Sequence, residues 1–84
     1  MALHYFNRLE RIDYLISSRR TGKPTEFAKR LGISERTLYD FLNVMRSLGA
    51  PIQYNKDVQT YYYSENGRFY IRFTKTKNFT SIDN

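Results

Sequence analysis

The chain has 84 residues, with 14 Lys and Arg against 8 Asp and Glu, a formal charge of +6 and a pI near 9.8. That length holds one small domain, expected over 1–74 with a polar tail at 75–84, and the absence of Cys excludes disulfides, thiolate metal sites and a Cys nucleophile and suits a reducing cytoplasm. No apolar run approaches the ~18 residues of a membrane helix. The amphipathic start is unlike a signal peptide, and the basic balance favours an anionic partner, nucleic acid first, over a merely solvated surface.

The first helix is expected over 3–18. Tyr5 or Phe6, Leu9, Ile12 and Ile16 recur at helical spacing, with Leu15 widening the stripe and Arg8, Glu10, Arg11 and Asp13 lying away from it. A basic loop follows from Ser17 to Lys23, and Pro24 suits the start of a second helix. In PTEFAKRLGISERTLYDFLN, Phe27, Leu31, Ile33, Leu38 and Phe41 are apolar. Ala28 stands where two helices would cross and Gly32 at the break between them. Ser34 is the expected N-cap of a third helix, with Glu35 in its first turn. That helix should run to about Leu48 and bury Leu38, Phe41, Leu42, Met45 and Leu48, before Gly49 and Pro51 end it. The pattern then alternates. Strands are expected over 52–55, 60–64 and 68–74, with Asn66-Gly67 as a hairpin turn between the last two.

Two helices joined at Gly32 make a helix-turn-helix. With a helix before and an antiparallel hairpin after, the expected fold is α+β, a winged helix-turn-helix of three helices followed by a two- to three-stranded antiparallel sheet. On the phrases FAKRLGISERTLY and LGAPIQYN, the stretch from Arg8 to Tyr63 resembles the N-terminal DNA-binding domain of bacterial WYL-domain and related transcription regulators. The resemblance implies duplex DNA as the partner. Regulators of that kind continue into a sensor or effector domain. None is contained in these residues, so the expectation is a DNA-binding module with no ligand response carried over.

A docked helix-turn-helix puts the start of its second helix in the major groove. The outward set there is Glu35, Arg36, Thr37, Tyr39, Asp40 and Asn43. Arg36 suits a guanine edge and Thr37 a thymine methyl or a phosphate; Asn43 and Tyr39 suit phosphates. Asp40 stands where the resembled family often has a DNA-contacting Arg. A carboxylate there is repelled by phosphates unless it accepts from a cytosine amino group or pairs with Arg36. Lys29 and Arg30, the loop residues Arg19, Arg20 and Lys23, and Lys56 in the wing are the expected phosphate cations.

The aromatic load, 8 Tyr and 6 Phe, concentrates at the C-terminal end. With Asn66-Gly67 as the turn, Tyr63 pairs with Tyr70 and Tyr61 with Arg72, so that Thr60, Tyr62, Phe69, Ile71 and Phe73 cover the helices. Tyr61, Tyr63, Arg68, Tyr70 and Arg72 then face outward. That face admits three readings: cross-strand pairing, a homodimer interface, or a platform for single-stranded bases. An enzyme is not expected. His4 is the single His, and neither a paired set of carboxylates, a phosphate loop nor a set of metal ligands is recognisable. The sequence thus points to a small cytoplasmic duplex-DNA-binding regulator without catalytic residues, metal, cofactor, small-molecule ligand or membrane anchor. The alternative is a winged-helix protein-interaction module using the Tyr and Arg sheet face.

Overall fold

A computed structural model describes residues 2–70 and 73. Ala2–Ser17 form α1, Pro24–Leu31 form α2 and Glu35–Ser47 form α3; Ile52–Asn55 (β1) and Thr60–Tyr63 (β2) follow. Three helices thus precede a two-stranded antiparallel sheet, the α+β layout of a winged helix.

Each helix ends as its local chemistry dictates. At the end of α1, Arg19 N–H donates to Ile16 C=O (3.0 Å) and Arg20 N–H to Leu15 C=O (2.9 Å), with Arg19 left-handed at φ 57°. This is a Schellman-type stop with a non-glycine residue in the left-handed position. Pro24 opens α2, where its missing N–H is no loss, and Lys23 is the N-cap. Gly32 closes α2 at φ 72°, and Ile33 N–H returns to Ala28 C=O at 3.0 Å. Two residues later Ser34 Oγ accepts from Thr37 N–H at 3.1 Å and opens α3.

Leu48 departs from expectation: instead of lying on the buried face of α3 it is 63% exposed. The helix stops at Ser47, and Leu48, at φ −94° and ψ 8°, already turns off that face. Ala50 N–H then bonds Met45 C=O at 3.0 Å across Gly49.

The core joins Leu9, Ile12 and Ile16 of α1, Phe27, Ala28 and Leu31 of α2, Leu38, Phe41, Leu42 and Met45 of α3, and Ile52 and Tyr61 of the sheet. Ala28 is buried, as a close approach of α2 and α3 requires.

The hairpin forms across 56–59, between the two strands expected on either side of it, while Asn66-Gly67 turns no further hairpin among the described residues. Asn55 Oδ1 accepts from the N–H groups of Asp57 (2.8 Å) and Val58 (3.2 Å) and shapes the turn at 56–59. The register pairs Ile52 with Tyr63, Gln53 with Tyr62, Tyr54 with Tyr61 and Asn55 with Thr60. Tyr63 therefore faces Ile52 across the ladder, and no strand forms at 68–70 to give it the expected second partner, Tyr70. The reason is visible at Phe69, whose N–H donates to the Asp13 carboxylate at 2.8 Å, so the chain turns back to α1 rather than along β2. Ile71, Arg72, Thr74 and the tail 75–84 lie outside the described residues. Phe73, expected to cover the helices, is exposed.

Two buried polar clamps fasten the sheet to the helices. In the first, Asp13 of α1 is 2% exposed and its carboxylate takes three donors. These are the Tyr63 hydroxyl (2.7 Å), Phe69 N–H (2.8 Å) and Arg68 Nε (2.7 Å). In the second, the Thr21 and Thr60 hydroxyls lie 3.1 Å apart. Thr21 N–H donates to Thr60 Oγ1 at 3.2 Å, and Tyr61 N–H to Thr21 Oγ1 at 2.9 Å. Asp13 thus corrects the expectation that it lies away from the apolar stripe of α1.

Candidate nucleic-acid interface

The exposed side of α3 is built by spacing. Arg36, Asp40 and Asn43 stand at i, i+4 and i+7, all exposed and opposite the buried Leu38, Leu42 and Met45. Among the described residues Asp40 has no ion pair, so Arg36 does not neutralise it. Two further members of the expected outward set are engaged. Thr37 is half-buried, and its Oγ1 accepts from the Ser34 hydroxyl at 3.0 Å. Glu35 Oε2 accepts from the Thr25 hydroxyl of α2 at 2.9 Å, which ties the first turns of the two helices together.

Tyr39 is half-exposed and turns toward the sheet, where its side chain reaches the Tyr61 hydroxyl. Burial first, and Tyr39 next, push the Tyr61 phenol up to about 12. Tyr61 also lies 4.8 Å from Tyr54 and 5.7 Å from Phe27 between ring centroids. This aromatic cluster seats the hairpin against α2 and α3 and so positions the wing turn beside the start of α3.

The expected phosphate cations divide into two kinds. Lys23, just before α2, and Lys56, in the wing turn, line one open cleft of about 380 Å³ with Thr25, Glu35, Tyr39, Tyr54 and Gln59. Two cations distant in sequence therefore flank the first turn of α3. Lys29 and Arg30 are exposed in the last turn of α2, where they also favour the negative end of its dipole. Arg20 is exposed in the loop. Arg19, by contrast, is committed: its guanidinium carbon sits 5.1 Å from the Tyr62 ring centroid.

The expected outward Tyr face does not form. Tyr61 is buried in the core, and Tyr63 is half-buried with its hydroxyl on Asp13. Burial, then that bond and the carboxylate charge, hold the Tyr63 phenol far above its ordinary value, so it remains a donor. Tyr62, expected inward, lies on the other side, under Arg19. The alternation breaks at the start of β2, where Thr60, expected inward, and Tyr61, expected outward, are both buried, while Phe69 packs against the core as expected. Of the expected face, Arg68 and Tyr70 are exposed, Arg68 being bonded to Asp13, while Arg72 lies outside the described residues.

The Asp13 clamp is the group that sequence reasoning missed. A signal existed: Asp13 stands four residues after Leu9 and three before Ile16, on the stripe itself.

Among the described residues no helix is long and apolar enough to cross a membrane. No group of three or more His, Asp or Glu among them is placed to hold a metal ion. No family model matches the chain, and no characterised protein or solved structure matches it either.

Proposed function

We propose that this chain is a cytoplasmic winged helix-turn-helix protein that binds duplex DNA and regulates transcription, of the kind found at the N-terminus of WYL-domain regulators. It acts by binding rather than by catalysis. One observation carries the reading: a capped α3 presents Arg36, Asp40 and Asn43 as a single exposed stripe, with Lys23 and Lys56 gathered beside its first turn.

With α3 in the major groove, Arg36 makes a bidentate contact to a guanine and Asp40 accepts from a cytosine amino group. Asn43 contacts the backbone. Thr37 meets a thymine through its methyl, because its hydroxyl serves the cap. Lys23, Lys56, Lys29, Arg30 and Arg20 hold phosphates, where charge matters more than identity. The carboxylate of Glu35 is occupied by Thr25, which moderates the second negative charge at the groove. A single module covers only ~600–1,000 Å² of DNA, so a selective site takes two copies. The rival reading, a protein-interaction module working through a Tyr and Arg sheet face, is weakened by the inward placement of Tyr61 and Tyr63.

Fluorescence anisotropy of a random-sequence duplex, titrated at several salt concentrations, tests the proposal. The expected result is micromolar binding that weakens steeply with salt. Absence of binding at low salt overturns it. On a site selected from random duplexes, Arg36→Ala is expected to cost about 1–3 kcal/mol and to relax preference at one position.

A further inference from the structure

The cleft beside the first turn of α3 brings together two lysines whose backbones are fixed by local structure. Lys23 is extended at φ −63° and ψ 162°; its carbonyl accepts from Phe27 N–H at 2.8 Å, and the ring of Pro24 follows it. Lys56 opens the wing turn, which Asn55 Oδ1 pins through two amides and Gln59 closes in left-handed backbone at φ 53°. A non-glycine residue held there is strained, and Gln59 lines the same cleft. Both lysines are exposed, and among the described residues neither forms an ion pair. Glu35, the one acidic side chain among the described residues lining the cleft, is bonded instead to the Thr25 hydroxyl. Lys23 and Lys56 against Glu35 leave the cleft a formal charge of +1.

We infer that this cleft seats one phosphodiester, shared by Lys23 and Lys56, and that Glu35 makes both lysines necessary to hold it. Sharing of one phosphate rests on the proposed DNA reading and sharpens it, since two cations that could each neutralise a phosphate of their own are assigned to a single one. A phosphodiester carries one negative charge, which the net charge of the cleft matches; a second phosphate there would be left unbalanced. A space of about 380 Å³ is also small enough for lysines on its rim to reach the same phosphate group. Removing either lysine leaves the other facing Glu35 with no net charge, and the attraction for the DNA backbone goes with it. Tyr39, half-exposed on the same cleft, adds a neutral hydroxyl donor to the seat.

The slope of affinity against salt concentration, on a duplex selected for tight binding, measures phosphate contacts at about one unit each. Lys23→Ala, Lys56→Ala and the double variant are each expected to lower the slope by about one unit. Glu35→Gln in the Lys23→Ala background is expected to restore that unit, because Lys56 then meets the phosphate unopposed. All three side chains are exposed, and far-ultraviolet circular dichroism checks that each variant folds. A double variant that loses about two units overturns the inference and leaves the DNA reading standing, because each lysine then holds its own phosphate. So does a single lysine variant with the wild-type slope, or a Glu35→Gln substitution that restores nothing. A wild-type chain that fails to bind duplex at low salt overturns both.

Discussion

Between α2 and α3 the chain is held by apolar side chains meeting across Gly32, with Phe27, Ala28, Leu31, Leu38 and Phe41 buried together and one cap at Ser34. The hairpin adds something different. Besides Ile52 and Tyr61 in the core, it depends on two buried polar clamps, one on Asp13 and one on Thr21 and Thr60. Apolar packing is spread over many contacts, so a single change on the exposed side of α3 leaves it intact. A buried polar clamp concentrates its contribution in a few atoms, and removing one partner strands the others without water. The region proposed to read DNA is therefore the tolerant one, and the attachment of the wing is the vulnerable one.

Asp13→Ala should expose the contrast most strongly. It leaves the Tyr63 hydroxyl and the Phe69 N–H without an acceptor and releases Arg68. Urea denaturation is expected to show a loss of about 2–4 kcal/mol, from stranding buried donors of a charged acceptor. A loss no larger than that of an exposed substitution on α3, such as Asn43→Ala, would show that the clamp contributes no more than a surface contact. Thr21→Val keeps the volume and removes the hydroxyl that accepts from Tyr61 N–H. About 1–3 kcal/mol should be lost by the same measurement, with the helical circular dichroism unchanged in the folded protein.

The two regions also differ in how far they could be read from residues alone. Every stop and start around α3 is a local rule: Ser34 bonds three residues ahead, and Gly32 and Gly49 occupy left-handed positions that few other residues adopt. Such signals act within a turn of chain and survive without knowledge of the rest. The clamps join residues far apart, Asp13 to Tyr63 and Phe69, and Thr21 to Thr60. Nothing near Asp13 names its partners, so it passes for another surface charge. Asn66-Gly67 is misleading for a related reason. It has hairpin chemistry, but the Phe69 N–H and the Arg68 guanidinium are both held on the Asp13 carboxylate, which draws the chain after the turn toward α1. In the candidate site, Arg36, Asp40 and Asn43 follow from helical spacing. The meeting of Lys23 with Lys56, and the capture of Tyr39 by Tyr61, depend on where the hairpin lands.

Alkaline pH separates the regions without a substitution. The Tyr61 phenol is pushed up to about 12 and Tyr63 is raised as well, burial being the first cause in each. A phenol that ionises at about 10 in the unfolded chain and higher in the folded one favours folding in full below about pH 10. That contribution is lost as pH rises from there through 12. Urea midpoints should fall over that window while remaining flat between about pH 7 and 9, and Tyr61→Phe should shallow the fall. An equal fall in the Tyr61→Phe variant would assign the alkaline loss to other groups.

Arg19 offers the smallest effect and the finest test of the division. Its backbone is left-handed at φ 57°, where glycine is favoured by about 1 kcal/mol, yet its guanidinium lies over Tyr62 at 5.1 Å. A cation over an aromatic ring at a partly exposed site contributes ~0.5–1 kcal/mol. Arg19→Gly relieves the first and removes the second, and glycine adds some freedom to the unfolded chain. The net change in stability should fall within about 0.5 kcal/mol. Binding carries the sharper information. If Arg19 is committed to Tyr62, the salt dependence of duplex binding in Arg19→Gly should match wild type, whereas Lys56→Ala should reduce the slope by about one phosphate contact. A reduction of the same size in Arg19→Gly would mean that the guanidinium leaves Tyr62 for the DNA backbone, and that the loop after α1 supplies a cation to the interface.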